Sequence, residues 1–276
     1  MSRKRSGAWA KWERAKSHLE ALRIELGATP EHPYGWSKRY RATPERHRNG
    51  LEYRFYVNAV ELDTEDWSLL AGDYLFNLRS ALDHLIFDLH ARRFRGKVPE
   101  AIAEKTAFPI LSARPAGNRG RSRDPARWIE IKHLGFRQRR AITWLQPYNR
   151  RNDHFREARH ALGEIATLNN IDKHRHLHVL QATPLMAAVA WFGDPPGYGF
   201  RQDSFFDMPL VGKTEVFRWT FAAEPPDIAR YLDSGGHVSA FICLHERGKA
   251  HLLLPYLNKL LESVETVLTR FAIFLR

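Results

Sequence analysis

Apolar residues recur every three or four positions over several long stretches of the chain, which is the pattern of amphipathic helices. The clearest stretch runs from Glu65 to Arg93 without an internal proline, and Asp63 or Thr64 can cap its first turn. Together the helical stretches predict a bundle core. This core comprises residues 8–27, 64–180 and 250–276.

Short aromatic and β-branched runs, separated by turn signals such as Asn49-Gly50, occupy the remaining parts of the chain. They predict an antiparallel β layer made of residues 35–62 and 184–247. Helices and strands fall in separate blocks and do not alternate, which favours an α+β fold. We therefore expect residues 1–276 to form a single domain, a helical bundle with an added sheet.

Positive charge is concentrated in one arginine-rich part of the sequence. The chain has 43 Lys and Arg against 31 Asp and Glu, and residues 112–160 alone hold 13 basic and 4 acidic residues. Within them, 112–127 is rich in Gly, Ser, Pro and Arg and is predicted to be a flexible loop. Guanidinium groups suit phosphate oxygens, so this charge indicates a nucleic-acid partner. The candidate contact residues are Arg119, Arg121, Arg123, Arg137, Arg139, Arg140, Lys173 and Arg175.

Other features of the composition narrow the class of protein. Cys243 is the single cysteine, so neither an internal disulfide nor a thiolate zinc site can form. No apolar run approaches the roughly 20 residues of a membrane span, and the first residues lack the apolar core of a signal peptide. These features predict a cytoplasmic protein without a membrane partner.

Two long helices are expected to present polar side chains beside their apolar faces. On the first helix, at 100° per residue, one stripe collects Asp73, Asn77, Ser80, His84 and Asp88. On the second, the apolar face continues into Asn169, Asp172 and His176. An inward polar group must find a partner, so these stripes predict either a buried hydrogen-bond network or an active site.

Four strings resemble an uncharacterised bacterial family: NLRSALDHL at 77–85, FPI at 108–110, QPY at 146–148 and NIDKHR at 170–175. The first string also resembles the signature of the HEPN superfamily, an Arg and a His separated by four to six residues on a helix. Arg79 and His84 match that spacing. The resemblance implies an HEPN-like helical bundle and an RNA-directed function. Many members are metal-independent endoribonucleases, often toxins or defence proteins, that act as homodimers.

If the resemblance holds, His84 acts as general acid or base on the RNA and Arg79 stabilises the phosphate. Asp73, Asn77, Ser80, Asp83, Asn169, Asp172 and His176 are then expected to support them. No cofactor is implied, RNA is favoured over DNA, and a toxin would have a protein antitoxin. On a straight helix Arg79 and His84 lie about 140° apart, so the site requires a kink or a dimer.

Two alternatives remain open from the sequence. The first is a metal-dependent hydrolase, because Asp172, His174, His176 and His178 would share one face of a strand. The second is a helical module that binds nucleic acid or another ligand without catalysis, its polar stripes serving as buried networks or as a pocket.

Overall fold

The computed structural model describes ten stretches of the chain. They are 6–47, 50–59, 62–112, 130–149, 153–174, 180–189, 200–205, 208–223, 236–246 and 249–275. The chain divides into two compact units, each assembled from separate segments. A helical unit comprises Met1–Leu22, Leu69–His178 and Pro255–Arg276, and a sheet unit comprises Arg23–Ser68 and Val179–Leu254. That the whole chain acts as one domain stays a prediction.

Six helices are found in the described residues, and the sequence pattern predicted the long ones. They are α1 (Gly7–Glu25), α2 (Glu65–Arg93), α3 (Glu100–Ala103), α4 (Phe136–Trp144), α5 (Arg156–His174) and α6 (Leu253–Leu275). The first turn of α2 is capped as expected, since Oδ1 of Asp63 accepts a hydrogen bond from the Glu65 amide at 3.1 Å.

Seven strands of the described chain form one antiparallel sheet. They are β1 (Ser37–His47), β2 (Glu52–Ala59), β3 (Leu180–Val189), β4 (Phe200–Ser204), β5 (Gly212–Phe221), β6 (Gly236–Glu246) and β7 (Lys249–Leu252). Their order is β3-β6-β1-β2-β5-β4, and β7 pairs with β6 beside this path. The sheet curls into a half-barrel.

Strand β1 joins two halves of the sheet because it pairs with a different strand along each part of its length. Residues Ser37 to Ala42 pair with β6, whereas Thr43 to His47 pair with β2. Side chains alternate between the two faces, so Tyr40 and Ala42 are buried while their neighbours are exposed. The two halves of the sheet are therefore linked through the register of one strand, β1.

The sheet encloses an aromatic core of its own. Phe55 stacks on Phe217 with ring centroids 4.2 Å apart, and Trp219 packs edge-on to Phe55 at 4.3 Å. These three rings are at most 1% exposed and lie in a cluster with other buried residues of the strands. Burial of this much apolar surface is a major source of stability for the sheet unit.

The predicted fold class, an HEPN-like helical bundle with an added β-sheet, is wrong. Helices and an antiparallel sheet do coexist, but the sheet has seven strands and its own aromatic core, so it is not a minor layer. The physical reason is that β1, β2 and β5 bury large rings in one cluster, to which β6 adds Val238 and Ala240. The strands are short and come from two distant ranges of the sequence. The pattern of each strand alone therefore did not show that they share one core.

The helical unit buries the apolar faces that the periodicity predicted. On α5 the buried face is Ala158, Ala161, Leu162, Ile165 and Leu168. Two buried donors contact backbone oxygens of α6: Nε1 of Trp12 donates to Leu261 at 3.1 Å, and the hydroxyl of Tyr74 donates to Leu257. Burial raises the pKa of the Tyr74 hydroxyl well above its ordinary value, so this donor keeps its proton.

Candidate functional site

Two charged residues of α2 bind the backbone of Phe108. Nη2 of Arg79 donates to the Phe108 carbonyl oxygen at 2.8 Å, and Oδ1 of Asp83 accepts from the Phe108 amide at 2.8 Å. The two side chains also form an ion pair at 2.9 Å, as expected for residues four apart on a helix. Arg79 and Asp83 therefore have a structural role: they pair their charges and bind the backbone of Phe108.

Gln146 binds the same extended segment at its next residues. Its Oε1 accepts from the Leu111 amide at 2.9 Å, and its Nε2 donates to the Pro109 carbonyl oxygen at 2.9 Å and to the Ile142 oxygen at 3.0 Å. Gln146 is fully buried. The strings around residues 79, 108 and 146 thus meet in space, and together they hold residues 108–111, which belong to neither a helix nor a strand.

A small pocket lies where these strings meet the end of α5. Its volume is about 220 Å³, and its lining includes Arg79, Phe108, Glu130, Asn169 and Asn170. Asn169 is only 4% exposed, and its Oδ1 has no hydrogen-bond partner in the described chain. The sequence-based expectation that Asn169 points inward is confirmed, and the atom it brings there needs a donor.

His84, on α2, packs against the beginning of α1 and does not line the pocket that contains Arg79. A Cβ added to Gly7 would lie 2.8 Å from Nδ1 of His84, so the ring packs against the backbone there. Asp88, one turn further along α2, accepts from the hydroxyl of Ser6 and from the amide of Ala8 at 3.4 Å. A carboxylate at a helix N-terminus is favourable, so Asp88 acts as a cap for α1.

Other predicted supporting residues on α2 have separate surroundings. Asn77 is buried, and its Nδ2 donates to the backbone oxygen of Asp73 at 2.8 Å. Asp73 itself is exposed, and Ser80 is half-buried. The structure therefore brings Arg79, Asp83 and Asn169 to one region, and it places His84 and Asp88 in another.

Several predicted site residues lie outside the described part of the chain. They are Arg119, Arg121, Arg123, Arg175, His176 and His178, together with most of the predicted loop 112–127. Asp172, Lys173 and His174 are in the last turn of α5, but their side chains are not described. Within the described residues, no three His, Cys, Asp or Glu side chains are grouped so that they could hold a metal ion.

A basic groove lies elsewhere in the helical unit. It has a volume of about 660 Å³ and includes Arg92 and Arg93 from the last turn of α2 and Arg137 from α4. Phe136 and Ile273 line it and are 69% and 59% exposed. Sequence reasoning selected Arg137 but missed Arg92, Arg93 and Phe136. The available signal was a pair of arginines at the end of one helix and an aromatic residue at the start of an arginine-rich helix.

Two further predicted nucleic-acid contacts are on the same helix but are not among the residues that line the groove. Arg139 and Arg140 are exposed on α4, within four residues of Phe136. The backbone oxygen of Arg139 accepts from the hydroxyl of Thr143 at 2.8 Å, which leaves the guanidinium out of that contact. The predicted contacts Arg137, Arg139 and Arg140 are therefore all on one exposed helix.

A buried histidine lies on α2 within the same unit. His90 is fully buried, its Nδ1 is 3.4 Å from the Thr106 hydroxyl, and its Nε2 has no partner in the described chain. Burial, reinforced by the like charge of His133, lowers the pKa of His90 below its ordinary value. The ring is therefore held neutral at pH 7.

No described helix combines the length and apolar character that crossing a membrane requires. Comparison of the chain with protein-family models, with curated proteins and with solved structures finds no match in any of the three.

Proposed function

We propose that this protein binds single-stranded RNA through the basic groove of its helical unit. The observation that carries the proposal is that Arg92, Arg93 and Arg137 line one groove with the exposed ring of Phe136. Cations along a groove can follow a phosphate backbone, and an exposed ring can stack a base. The net charge of +12 favours association with a polyanion.

The choice of RNA over DNA rests on the resemblance of Arg79 and His84 to the HEPN signature. The residues of the groove alone could bind either single-stranded RNA or single-stranded DNA, because both present phosphates and unstacked bases. A DNA strand of the same sequence is therefore the direct comparison. Stronger binding of the DNA strand would replace RNA as the proposed partner.

The test is fluorescence anisotropy with the full chain and a labelled single-stranded RNA. If three arginines each neutralise one phosphate, affinity should fall roughly 20-fold between 50 and 200 mM salt. Replacing all three groove arginines, Arg92→Gln, Arg93→Gln and Arg137→Gln, should remove most of that salt dependence. Arg14→Gln, at an exposed position of α1, removes one positive charge outside the groove and should change little.

Phe136 allows a second test that is independent of charge. Phe136→Ala should weaken RNA binding by about 1–3 kcal/mol if the ring stacks a base, whereas Phe136→Trp should retain binding. The side chain is 69% exposed, so neither change should disturb folding. Equal affinity of wild type, Phe136→Ala and the triple arginine variant would contradict the proposal.

Binding is proposed here without cleavage. Nη2 of Arg79 is bonded to Phe108 and Asp83, and His84 packs beside Gly7 and not beside Arg79. The endoribonuclease, the toxin role with an antitoxin and the homodimer stay predictions of the sequence. Incubation of labelled RNA with wild type and His84→Ala in metal-free buffer separates the two functions. Cleavage by wild type that His84→Ala abolishes would replace binding with catalysis.

A further inference from the structure

A second basic cavity adjoins the groove at the end of α2. Its volume is about 630 Å³, and its lining includes Asp88, Arg92 and Arg95. Arg92 also lines the groove, so the two cavities meet at this residue. The end of α6 passes along both, because Phe274 lines the groove and Leu275 lines the second cavity. Both cavities belong to the helical unit.

Arg95 has a backbone conformation that an arginine rarely adopts. Its φ is 51°, which makes it the one residue of the described chain other than glycine with a positive φ. The amide of the following residue, Gly96, donates to the Ala91 oxygen at 2.7 Å and closes the end of α2. The left-handed region is strained for a residue with a Cβ, whereas glycine fits it without strain. An arginine at such a position indicates that its side chain has a use.

The guanidinium groups of the second cavity are available to an anion. The side chains of Arg92 and Arg95 are exposed and form no hydrogen bond or ion pair with a described residue. Asp88 also lines the cavity, but its carboxylate already accepts from the Ser6 hydroxyl and from the Ala8 amide at the N-terminus of α1. The cavity therefore offers two guanidinium groups to a phosphate, while its carboxylate is held in other hydrogen bonds.

The arginines of the two cavities follow one another around the end of α2. Arg93 and Arg137 line the groove, Arg92 lines both cavities, and Arg95 lines the second. We propose that an RNA strand bound in the groove continues past Arg92 into the second cavity, where Arg95 binds a further backbone phosphate. This inference rests on the proposed function and specifies its ligand: a strand of several nucleotides and not a mononucleotide.

The test is fluorescence anisotropy of the full chain with two labelled single-stranded RNAs, of about 4 and about 10 nucleotides. The shorter strand can occupy the groove, and the longer strand can also reach Arg95. A fourth phosphate contact should raise the loss of affinity between 50 and 200 mM salt from roughly 20-fold to roughly 50-fold. Arg95→Gln should return the longer strand to roughly 20-fold and leave binding of the shorter strand unchanged.

Three further variants separate binding from general charge and from folding. Lys97→Gln removes a positive charge from an exposed residue near Arg95 that is not among the described lining of either cavity, so it should bind both strands as wild type does. Arg95→Lys keeps the charge and should keep most of the salt dependence. Arg95→Gly removes the side chain and the strain together. It should weaken binding of the longer strand as Arg95→Gln does, with a melting temperature at or above that of wild type.

Several outcomes would overturn this inference. They are equal binding of the longer strand by wild type and Arg95→Gln, equal weakening by Lys97→Gln, and equal affinity and salt dependence of wild type for the two strands. Weakening of both strands alike by Arg95→Gln would also overturn it, because Arg95 would then act within the groove. Failure of the groove itself has a different signature: the triple arginine variant would bind the shorter strand as wild type does.

Discussion

The carbonyl oxygen of Phe108 accepts a 2.8 Å hydrogen bond from the guanidinium of Arg79, across 29 residues of sequence. The amide of the same Phe108 donates to Asp83, which is itself paired with Arg79. Both backbone polar groups of one residue are thus bound by a single ion pair. This relationship explains why an Arg and an Asp are placed four residues apart on α2.

Removing either member of this pair should destabilise the helical unit. Hydrogen bonds to charged groups contribute about 1.5–3 kcal/mol, so Arg79→Ala and Asp83→Ala should each lower the free energy of unfolding by about that amount. The double variant should lose less than the sum, because the two residues share one partner. Urea unfolding measures all three. Asp83→Asn, which retains an acceptor for the Phe108 amide, is the control and should cost less; additive losses would contradict the shared role.

Substitution of Gln146 should destabilise the protein more than its uncharged side chain suggests. Gln146→Met keeps the length of the side chain but leaves the Leu111 amide and the Pro109 oxygen without their partner. Unpaired buried groups cost about 1–3 kcal/mol each, so a loss of about 3 kcal/mol is expected. Hydrogen exchange should show faster exchange at the Leu111 amide. Unchanged exchange there would mean that another group replaces Oε1.

Because His84 lies so close to Gly7, the effect of Gly7→Ala on stability should depend on whether His84 is present. Gly7→Ala would place a methyl group 2.8 Å from Nδ1 of His84, so it should not give the stabilisation of up to about 1 kcal/mol that alanine usually gives in a helix. In a His84→Ala background that obstacle is gone, and Gly7→Ala should stabilise the protein. Thermal unfolding of the four proteins gives the coupling. A coupling free energy near zero would show that the His84 ring can move away from the added methyl group without loss of stability.

Stability should fall in mild acid because of His90. Its folded pKa lies below the ordinary value of 6.5, so the unfolded chain binds a proton first as the pH falls. The loss therefore begins near pH 6.5, continues to the lower folded pKa, and reaches at most about 1.4 kcal/mol per pH unit for one proton. Thr106, Phe94 and His133 surround the ring, and none of them is an acid.

The measurement is the free energy of unfolding from pH 8 to pH 5. His90→Leu should reduce the slope over that window, since the leucine cannot take up a proton in either state; the slope that remains includes His18, whose pKa burial also lowers. His32→Gln, at an exposed position, should leave the slope as in wild type. A His90→Leu profile that is as steep as wild type would assign the acid sensitivity to other groups.

The sequence predicted local structure well where the signal was local. The bounds of α2 follow from an Asp cap and an uninterrupted helical period, and the buried face of α5 follows from spacing alone. Asn169 was placed inward for the same reason. Periodicity along one helix reports which side is buried, and it needs no knowledge of the rest of the chain.

The sequence could not predict what depends on distant partners. Gln146 and Leu111 are 35 residues apart, and no spacing rule connects them. Strand β3 was expected to begin after Pro184, yet it extends from Leu180 through that proline. A register shift between Pro184 and Met186 marks a bulge, and β3 is at the end of the strand order, where a proline is tolerated. The path of β3 through Pro184 depends on its pairing with β6, and the local sequence pattern does not show that pairing.

The shared strand β1 has a consequence for how this sequence can change over evolutionary time. Because its pairing passes from β6 to β2 between Ala42 and Thr43, loss or gain of one residue there would turn the following side chains to the opposite face. Tyr53 and Phe55 on β2 would then oppose the wrong neighbours. Insertions and deletions in descendants of this protein should therefore avoid that junction, while point substitutions at its exposed positions accumulate freely.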